Sequence, residues 1–426
     1  MNKYILNFPR SLWNHSFIFM INNTASMILS MVITSSLGSL YWWIAAHQYS
    51  PEAVGLASAT VSAMMLLGTI GTLGLGTFLI GELPRQTSQK GTLITTALLV
   101  SGIVSLALGF VFVLLMPNIS AEIGGISRNV GNVALFIIGV SLTSIGYVSD
   151  QATIGLLRSD LQLWRNTIHS VMKIGLLVAF GLWSSNRSGM AIFSTWVFGG
   201  LISLLSMSIF AIPKIYSSNN IKPDIGVIYR VRRLMLEHHA LNLALQAPGL
   251  VLPVLVTTQL SARMNAYFYT SWMVATLTFI GSAALTTVLY AVGASNPESL
   301  GEKVRMSLKL STLMAFLTSG ALLFGSELIL GFFGASYAQQ AGWCLRILGL
   351  GVFPLVIKNH FVAICRIDKR ISEAAKWMTV AGMIEFILAG LGGYFGGLNG
   401  LAVGWLIAVS SEAFLMTRAV YRKAVI

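Results

Sequence analysis

Ionisable side chains inside long apolar runs are the groups in this sequence most able to do chemistry. A charged group is costly in hydrocarbon, so such residues mark a pathway, a gate or an ion site by default. Arg346 is the best single candidate for contacting an anion, because its guanidinium fork matches the oxygens of a phosphate group. Its position near one end of its apolar run leaves snorkelling toward the membrane surface as the alternative interpretation.

Lys358 and His360 lie in the same apolar run as Arg346. In a helix, His360 returns to within about 40° of the face that carries Arg346, about 21 Å further along the axis, whereas Lys358 lies off that face. All three residues are therefore candidates for lining a polar cleft between helices.

Two stripes of polar side chains follow the first apolar run and the run that opens the second half of the chain. At about 100° per residue, each stripe falls on one face of a helix, and the two faces could line a common cleft. The cleft candidates are His15, Asn22 and Ser26 on the first stripe, and His239, Asn242 and Gln246 on the second. The alternative is that these side chains hydrogen-bond to neighbouring helices.

Asp150 and Glu385 are the acidic candidates for gating or ion coupling. Asp150 lies 208 residues before Lys358, an offset that recurs in the internal repeat described below. Opposite charges at equivalent positions could pair across a cleft as a gate, or they could be two unrelated polar groups. Glu385 lies in the middle of its apolar run, where it could couple an ion or be part of a hydrogen-bonded structure.

The sequence predicts no metal site and no cofactor. His238 and His239 are adjacent, so their side chains face different directions on a helix. The two cysteines, Cys344 and Cys365, lie about 31 Å apart if the stretch between them is helical. They therefore cannot form a disulfide with each other.

The elements that must position these residues are membrane-spanning helices. Of the 426 residues, 55% are hydrophobic and 10% are charged, and the mean hydropathy is +0.77. A soluble domain carries about 25% charged residues, so the composition excludes a soluble enzyme, and the apolar content excludes disorder. At about 35 residues per span and loop, the chain has room for about twelve spans. The predicted spans are 17–45, 53–81, 92–116, 132–156, 166–184, 190–212, 240–260, 265–293, 307–331, 341–365, 374–396 and 398–420.

The basic residues fall mainly in alternate loops, which is the pattern of the positive-inside rule. With the N-terminus in the cytoplasm, the outer loops hold only Arg128, Arg187 and Arg263, so both termini are predicted to be cytoplasmic in an inner (plasma) membrane. This distribution explains the net charge of +13 without nucleic acid as a partner. The arginines of the longest link, at 230, 232 and 233, are expected to contact anionic lipids.

An internal repeat divides the chain near its midpoint, at the hydrophilic link 214–237. Arg158-Ser159-Asp160 after the fourth span resembles Arg366-Ile367-Asp368 after the tenth, 208 residues on. Six spans per half make the repeat parallel, with its axis along the membrane normal. The predicted fold is thus an all-α polytopic membrane protein with one six-helix bundle in 1–213 and a second in 238–426.

The whole chain resembles the multidrug/oligosaccharidyl-lipid/polysaccharide exporter superfamily, and within it the polysaccharide transporter family of Wzx-like flippases. The resemblance rests on the twelve spans in two halves, on the Arg-x-Asp turns, on the tract from Gly71 to Gly76 running on to Pro84-Arg85, and on the segment from Ala266 to Trp272. It implies a flippase that moves polyprenyl-diphosphate-linked oligosaccharide to the outer leaflet by alternating access, for surface polysaccharide synthesis. It leaves open whether a polysaccharide polymerase is a partner.

Three other classes compete with this interpretation. An ion-coupled MATE-like exporter of small amphipathic compounds is the alternative, although such antiporters often carry a carboxylate in the first helix and no Asp or Glu precedes Glu52. Lipid II flippases usually have two extra helices, for which this chain has no room. An integral-membrane enzyme is disfavoured, because the longest outer loop, 117–131, has no paired carboxylates and no nucleophile beside a base.

Overall fold

The computed structural model describes residues 33–86, 89–183, 187–210, 222–224, 226–295 and 300–425. Nearly all of these residues are helical, and none of them forms a β-strand. The helices are α1 over 33–48, α2 Pro51–Gly71, α3 Leu75–Glu82, α4 Lys90–Leu115, α5 Ala121–Gly124, α6 Val130–Gly155, α7 Ser159–Trp183, α8 Gly189–Phe210, α9 Gly226–Gln259, α10 Ala262–Ser295, α11 Leu300–Gly331, α12 Ala335–Leu350, α13 Val352–Ile367 and α14 Ile371–Val425.

These helices confirm an all-α membrane fold of two bundles. Each predicted span has a helical counterpart, although the first is described only from residue 33 onward. Among the described residues, nine helices or merged helix pairs are apolar enough to cross a membrane. Helix α14 merges the last two predicted spans across a kink at Gly396 and Gly397, where Gly397 has a φ of 58°.

Two predicted spans are broken into two helices each. Between α2 and α3, Leu73 and Gly74 have φ values of 50° and 78°, a left-handed conformation that glycine adopts at little cost. Between α12 and α13, Gly351 packs directly on the indole ring of Trp405, with no room for a Cβ atom. The second and tenth spans are not equivalent positions of the repeat, so these two breaks are separate features of the two halves.

The two ends of the bundle differ in charge. The loops at 83–86, 156–158 and 368–370 lie at one end, which we call the basic end. The turns at 49–50 and 260–261 lie at the opposite end. One bundle contains α1–α8 and the other α9–α14, and they meet where α2 packs on α9 and α10. Helix α9 begins at Gly226, inside the segment predicted to be a link.

The contact between the bundles is tightest at the opposite end. Gly55 of α2 lies against the backbone of Ala262 at the start of α10. The Asn265 amide donates to the Gly55 carbonyl at 2.8 Å and to Ser58 Oγ at 3.0 Å. The Glu122 carboxylate accepts from the Ala262 N–H at 2.5 Å, and Arg263 pairs with Glu52 on the surface. The two bundles are therefore closed on each other at this end.

The repeat is visible in the backbone, and at the turn after the fourth span its offset differs from the 208 residues that the Arg-x-Asp match indicated. Leu157 and Lys369 both have a φ of 59°. The Arg158 N–H donates to the Thr153 carbonyl at 2.8 Å, and the Arg370 N–H donates to the Cys365 carbonyl at 2.7 Å. Both are the capping bond of a helix that ends in a left-handed residue. The offset is thus 212 residues, so the predicted equivalence of Asp150 with Lys358 is wrong.

Candidate functional site

A cavity of about 660 Å³ lies in the first bundle, beside α10 of the second. It is lined by residues of α1, α2, α6, α7, α8 and α10, and its aromatic lining includes Trp42, Trp196 and Tyr269. Trp42 packs on Tyr269 and Trp196 with ring centroids 4.8 Å and 6.2 Å apart. The ionisable residues that line it are Asp150, Arg165, His169 and Lys173, with the phenol of Tyr147 beside them.

Arg165 and Asp150 form a fork-to-carboxylate pair on one wall of this cavity. Arg165 Nε and Nη2 donate to the two carboxylate oxygens of Asp150, each at 2.6 Å. The side chains are 7% and 13% exposed. The two charges cancel, because a bidentate pair of this geometry satisfies both groups.

Lys173 is a buried cation that lacks such a partner. Its ammonium lies 3.8 Å from the centroid of the Trp196 ring and 5.4 Å from that of Tyr41. Among the described residues no carboxylate lies within salt-bridge distance of Lys173, and residues 1–32 contain no Asp or Glu. Cation–π contacts contribute about 0.5–2 kcal/mol, less than the several kcal/mol needed to bury an ion. The cavity therefore holds one amine whose positive charge, when it is protonated, no carboxylate of the described residues compensates.

Three buried polar atoms of the cavity lining have no hydrogen-bond partner in the part of the chain that the structure describes. They are Gln162 Oε1, His169 Nε2 and Trp196 Nε1. A buried polar group left unsatisfied costs about 1–3 kcal/mol. Together with Lys173 they can bind a ligand that has negatively charged oxygens and hydroxyl groups.

A second cavity, of about 590 Å³, lies between α9 and α14 in the second bundle. Its lining is apolar apart from Thr379. It offers space for hydrocarbon but no charged group, so a charged ligand would bind in the first cavity and not in this one.

The second predicted polar stripe does not line the charged cavity, and the first is not tested. His15, Asn22 and Ser26 lie outside the described residues. Asn242 donates to Thr77 Oγ1 at 3.3 Å, and His239 is buried against Gly74. These two contacts join α9 to α3 between the bundles, as the alternative interpretation expects. Gln246 is exposed.

Arg346 is placed away from the charged cavity. Its Nη2 donates to Glu327 Oε1 at 2.8 Å and its Nε to the Leu323 carbonyl at 3.1 Å. Its guanidinium also lies 4.9 Å from the Trp343 ring centroid. The guanidinium group expected to bind phosphate is thus hydrogen-bonded to Leu323 and Glu327 of α11, and it links α12 to that helix.

The predicted gate between Asp150 and Lys358 is not formed, because each residue is paired within its own bundle. Lys358 Nζ donates to Glu385 Oε1 at 2.5 Å and to Glu412 Oε2 at 2.8 Å. His360 is buried. Its Nε2 lies 2.8 Å from Ser307 Oγ of α11 and its Nδ1 lies 2.7 Å from the Val356 carbonyl oxygen, so the side chain joins α13 to α11.

The sequence interpretation missed Arg165 and Lys173, which it counted with the cytoplasmic basic residues. Lys173 lies fourteen residues after Ser159, which is about 21 Å along α7. That depth, with no acidic residue one turn away on the same helix, is the signal that could have found it. Outside the spans, the hydrogen bond that Arg158 donates to Asp160 raises the pKa of Arg158, so the guanidinium stays protonated.

Comparisons with known proteins agree with this architecture. The MatE family model matches residues 250–391. An inward-facing multidrug resistance MATE family transporter of the MOP superfamily superposes with a TM-score of 0.72 at 15% identity, over 95% of this chain and 98% of that one. The lipid II flippase MurJ, in an inward closed conformation, gives 0.76 at 13% identity, over 95% of this chain and 87% of that one. The fold is that of MATE transporters and MurJ.

A third structure of this fold is a MOP superfamily transporter from Pyrococcus furiosus, described as having a binding pocket of reverse polarity. It superposes with a TM-score of 0.61 at 16% identity, over 95% of this chain and 96% of that one. No curated protein matches the sequence. The named matches are transporters or flippases, and at these identities they establish the architecture of the chain, not its cargo.

Proposed function

We propose that this protein is a flippase that moves polyprenyl-diphosphate-linked oligosaccharide from the cytoplasmic to the outer leaflet by alternating access. The observation that carries this proposal is the uncompensated ammonium of Lys173 in a cavity of about 660 Å³. A diphosphate is the anionic part of such a lipid, and its oxygens suit an ammonium and neighbouring N–H donors.

The aromatic and polar lining supports a glycan beside the phosphate. Trp42, Trp196 and Tyr269 present apolar ring faces, and Gln162 and His169 present unsatisfied polar atoms. Sugar rings have one apolar face and a rim of hydroxyl groups, so both kinds of surface match them. The isoprenoid tail stays in lipid or in apolar grooves such as the one between α9 and α14.

Orientation follows from charge. We place the basic end in the cytoplasm, with both termini, because basic loops are retained on that side. The contact between the bundles then closes the outer side, and the lipid-linked glycan would enter from the cytoplasmic leaflet. Anionic lipids would contact the basic end, and a polysaccharide polymerase would receive the product outside.

The second candidate is an ion-coupled MATE-like exporter of small amphipathic compounds. The match of the MatE family model to residues 250–391 favours it. The positive charge of the cavity disfavours cationic compounds, which such a site would repel.

The deciding experiment measures lipid-linked glycan in cells that lack this protein and carry either wild type or the Lys173→Met variant. We expect undecaprenyl-diphosphate oligosaccharide to accumulate in the cytoplasmic leaflet, and wild type to relieve the accumulation. Lys173→Met should lower the flipping rate about ten- to hundredfold, because a hydrogen bond to a charged group is worth about 1.5–3 kcal/mol.

Lys309→Met is the matched control, since Lys309 is exposed on α11. It should relieve the accumulation as wild type does. Full relief by Lys173→Met would remove Lys173 from the site. No accumulation at all, with altered efflux of cationic dyes, would replace the flippase by the drug exporter.

A further inference from the structure

Three ionisable side chains form a buried triad in the second bundle, separate from the charged cavity. Lys358 belongs to α13, and Glu385 and Glu412 lie on either side of the kink in α14. The residues are 6%, 2% and 4% exposed. Trp405 Nε1 also donates to Glu385 Oε2, at 2.8 Å.

The charges of this triad do not balance. One ammonium faces two carboxylates, so full ionisation would leave one net negative charge. Two other basic groups of the second bundle bond elsewhere: His360, on the same helix as Lys358, bonds to Ser307, and Arg346 bonds to Glu327. Among the described residues no further cation contacts either carboxylate. A buried net charge costs several kcal/mol, so something must neutralise it.

The hydrogen bonds identify the atom at which neutralisation occurs. Glu385 uses one oxygen for Lys358 and the other for Trp405, and Glu412 uses Oε2 for Lys358. Glu412 Oε1 is buried and has no hydrogen-bond partner among the described residues. Within that part of the chain it is the one carboxylate oxygen of the triad that is desolvated and not hydrogen-bonded.

A metal ion fits this place poorly. The ammonium of Lys358 already fills the space between the two carboxylates. Hard cations such as Ca²⁺ and Mg²⁺ take six or more oxygen ligands, whereas a proton needs one. The described residues contain no group of three or more His, Cys, Asp or Glu side chains able to hold a metal.

We propose that the second bundle holds one exchangeable proton on Oε1 of Glu412. The site then contains a neutral carboxylic acid beside the ion pair of Lys358 and Glu385. Release of the proton, as Glu412–COOH gives Glu412–COO⁻ and H⁺, restores the net negative charge, and it requires water to reach the triad. Proton exchange is therefore tied to rearrangement of α13 and α14, whatever the cargo of the first bundle.

The internal repeat relates the triad of the second bundle to Lys173 in the charged cavity of the first. At the offset of 212 residues, Glu385 of α14 is the equivalent of Lys173 of α7. The same position thus carries a cation without an acidic partner in one bundle and an anion in the other. The two bundles have diverged into an anion-binding half and a proton-binding half.

Infrared difference spectroscopy on the purified full-length protein in lipid nanodiscs tests the proposal. No ligand other than the proton is added. The measured signal is the carbonyl stretching band of a protonated carboxylic acid at neutral pH, together with the shift of this band in D₂O. We expect this band in wild type and its loss in Glu412→Gln. Glu327→Gln is the control, because Glu327 is exposed, and it should keep the band. A wild-type protein without the band, or a Glu412→Gln variant that retains it, would overturn the proposal.

Thermal unfolding gives a second readout that does not depend on spectroscopy. Glutamine resembles the neutral acid, so Glu412→Gln should keep the melting temperature of wild type, whereas Lys358→Met should lower it by leaving Glu385 unpaired. Replacing choline chloride by sodium, potassium or lithium chloride should have no effect. A sodium-dependent rise that Glu412→Gln abolishes would replace the proton by a metal ion. Neither measurement involves lipid-linked glycan, so failure here is distinct from failure of the flippase assay.

Discussion

Single residues in this protein illustrate two ways of keeping a cation inside a helical bundle. Arg165 is neutralised by a carboxylate on the neighbouring helix, in a bidentate pair at 2.6 Å. Lys173, two turns further along α7, is surrounded by aromatic rings. The first arrangement satisfies the protein itself, while the second leaves a binding capacity that a substrate can use.

The pair of Arg165 and Asp150 gives a prediction for stability. Arg165→Leu should destabilise the protein by about 3 kcal/mol, because it leaves Asp150 buried without its partner. The double variant Arg165→Leu with Asp150→Leu should recover most of this loss, since no buried charge remains. Thermal unfolding in detergent measures both.

Arg158→Leu is the control for this series. Arg158 pairs with Asp160 on the surface, where the side chains are 46% and 57% exposed, and an exposed pair contributes about 0–1 kcal/mol. A double variant as unstable as Arg165→Leu alone would mean that Arg165 acts through packing and not through its charge.

At the scale of helices, small residues decide how closely the two bundles approach. Gly55 lies against the Ala262 backbone, and Asn265 adds hydrogen bonds to the same turn of α2. Backbones come this close only where no side chain intervenes, which is the usual role of glycine in membrane helix packing. The position of α10 against α2 therefore depends on the absence of a side chain at Gly55.

Gly55→Ala should push α10 away from α2 and weaken closure at the opposite end of the bundle. We expect a lower melting temperature and faster labelling of a cysteine introduced at Asn265 by a water-soluble thiol reagent. Gly320→Ala is the matched control: nothing lies within 4 Å of a Cβ added there, and alanine favours helix by about 1 kcal/mol. Equal behaviour of the two variants would show that the close contact does not control closure.

At the scale of the whole molecule, contacts between the two bundles hold the end opposite the basic end closed. These contacts must break if the protein is to open at that end. The surface pair of Glu52 with Arg263 marks where the bundles meet, and it is exposed enough for reagents to reach. The native cysteines, Cys344 and Cys365, are buried. These facts make the closed end accessible to a cross-linking test.

Cysteines at positions 52 and 263, joined by a short thiol-reactive cross-linker, should lock the two bundles at this end. We expect the locked protein to bind undecaprenyl diphosphate but not to flip it, and cleavage of the linker to restore flipping. Each single-cysteine variant treated in the same way serves as control. Undiminished flipping by the locked protein would exclude opening at this end as a step of transport.

The sequence alone determined the number and course of the spans, because a helix in lipid satisfies its own backbone and its apolar length can be read locally. It also determined the division into two halves and the charge difference between the ends. It did not determine where the helices break: α3 is separated from α2 by left-handed residues at 73 and 74, and α12 from α13 at Gly351.

Only the tertiary structure decided which charges meet. Arg165 finds Asp150, Arg346 finds Glu327, and Lys358 finds two glutamates of α14. These partners depend on how each helix is rotated and on neighbours far away in sequence. A shift of the repeat from 208 to 212 residues also moves every inferred equivalent position by about one helical turn along the axis. A buried charge is identified by its lack of a partner, which is a property of three-dimensional packing, and for that reason Lys173 emerged from the structure and not from the sequence.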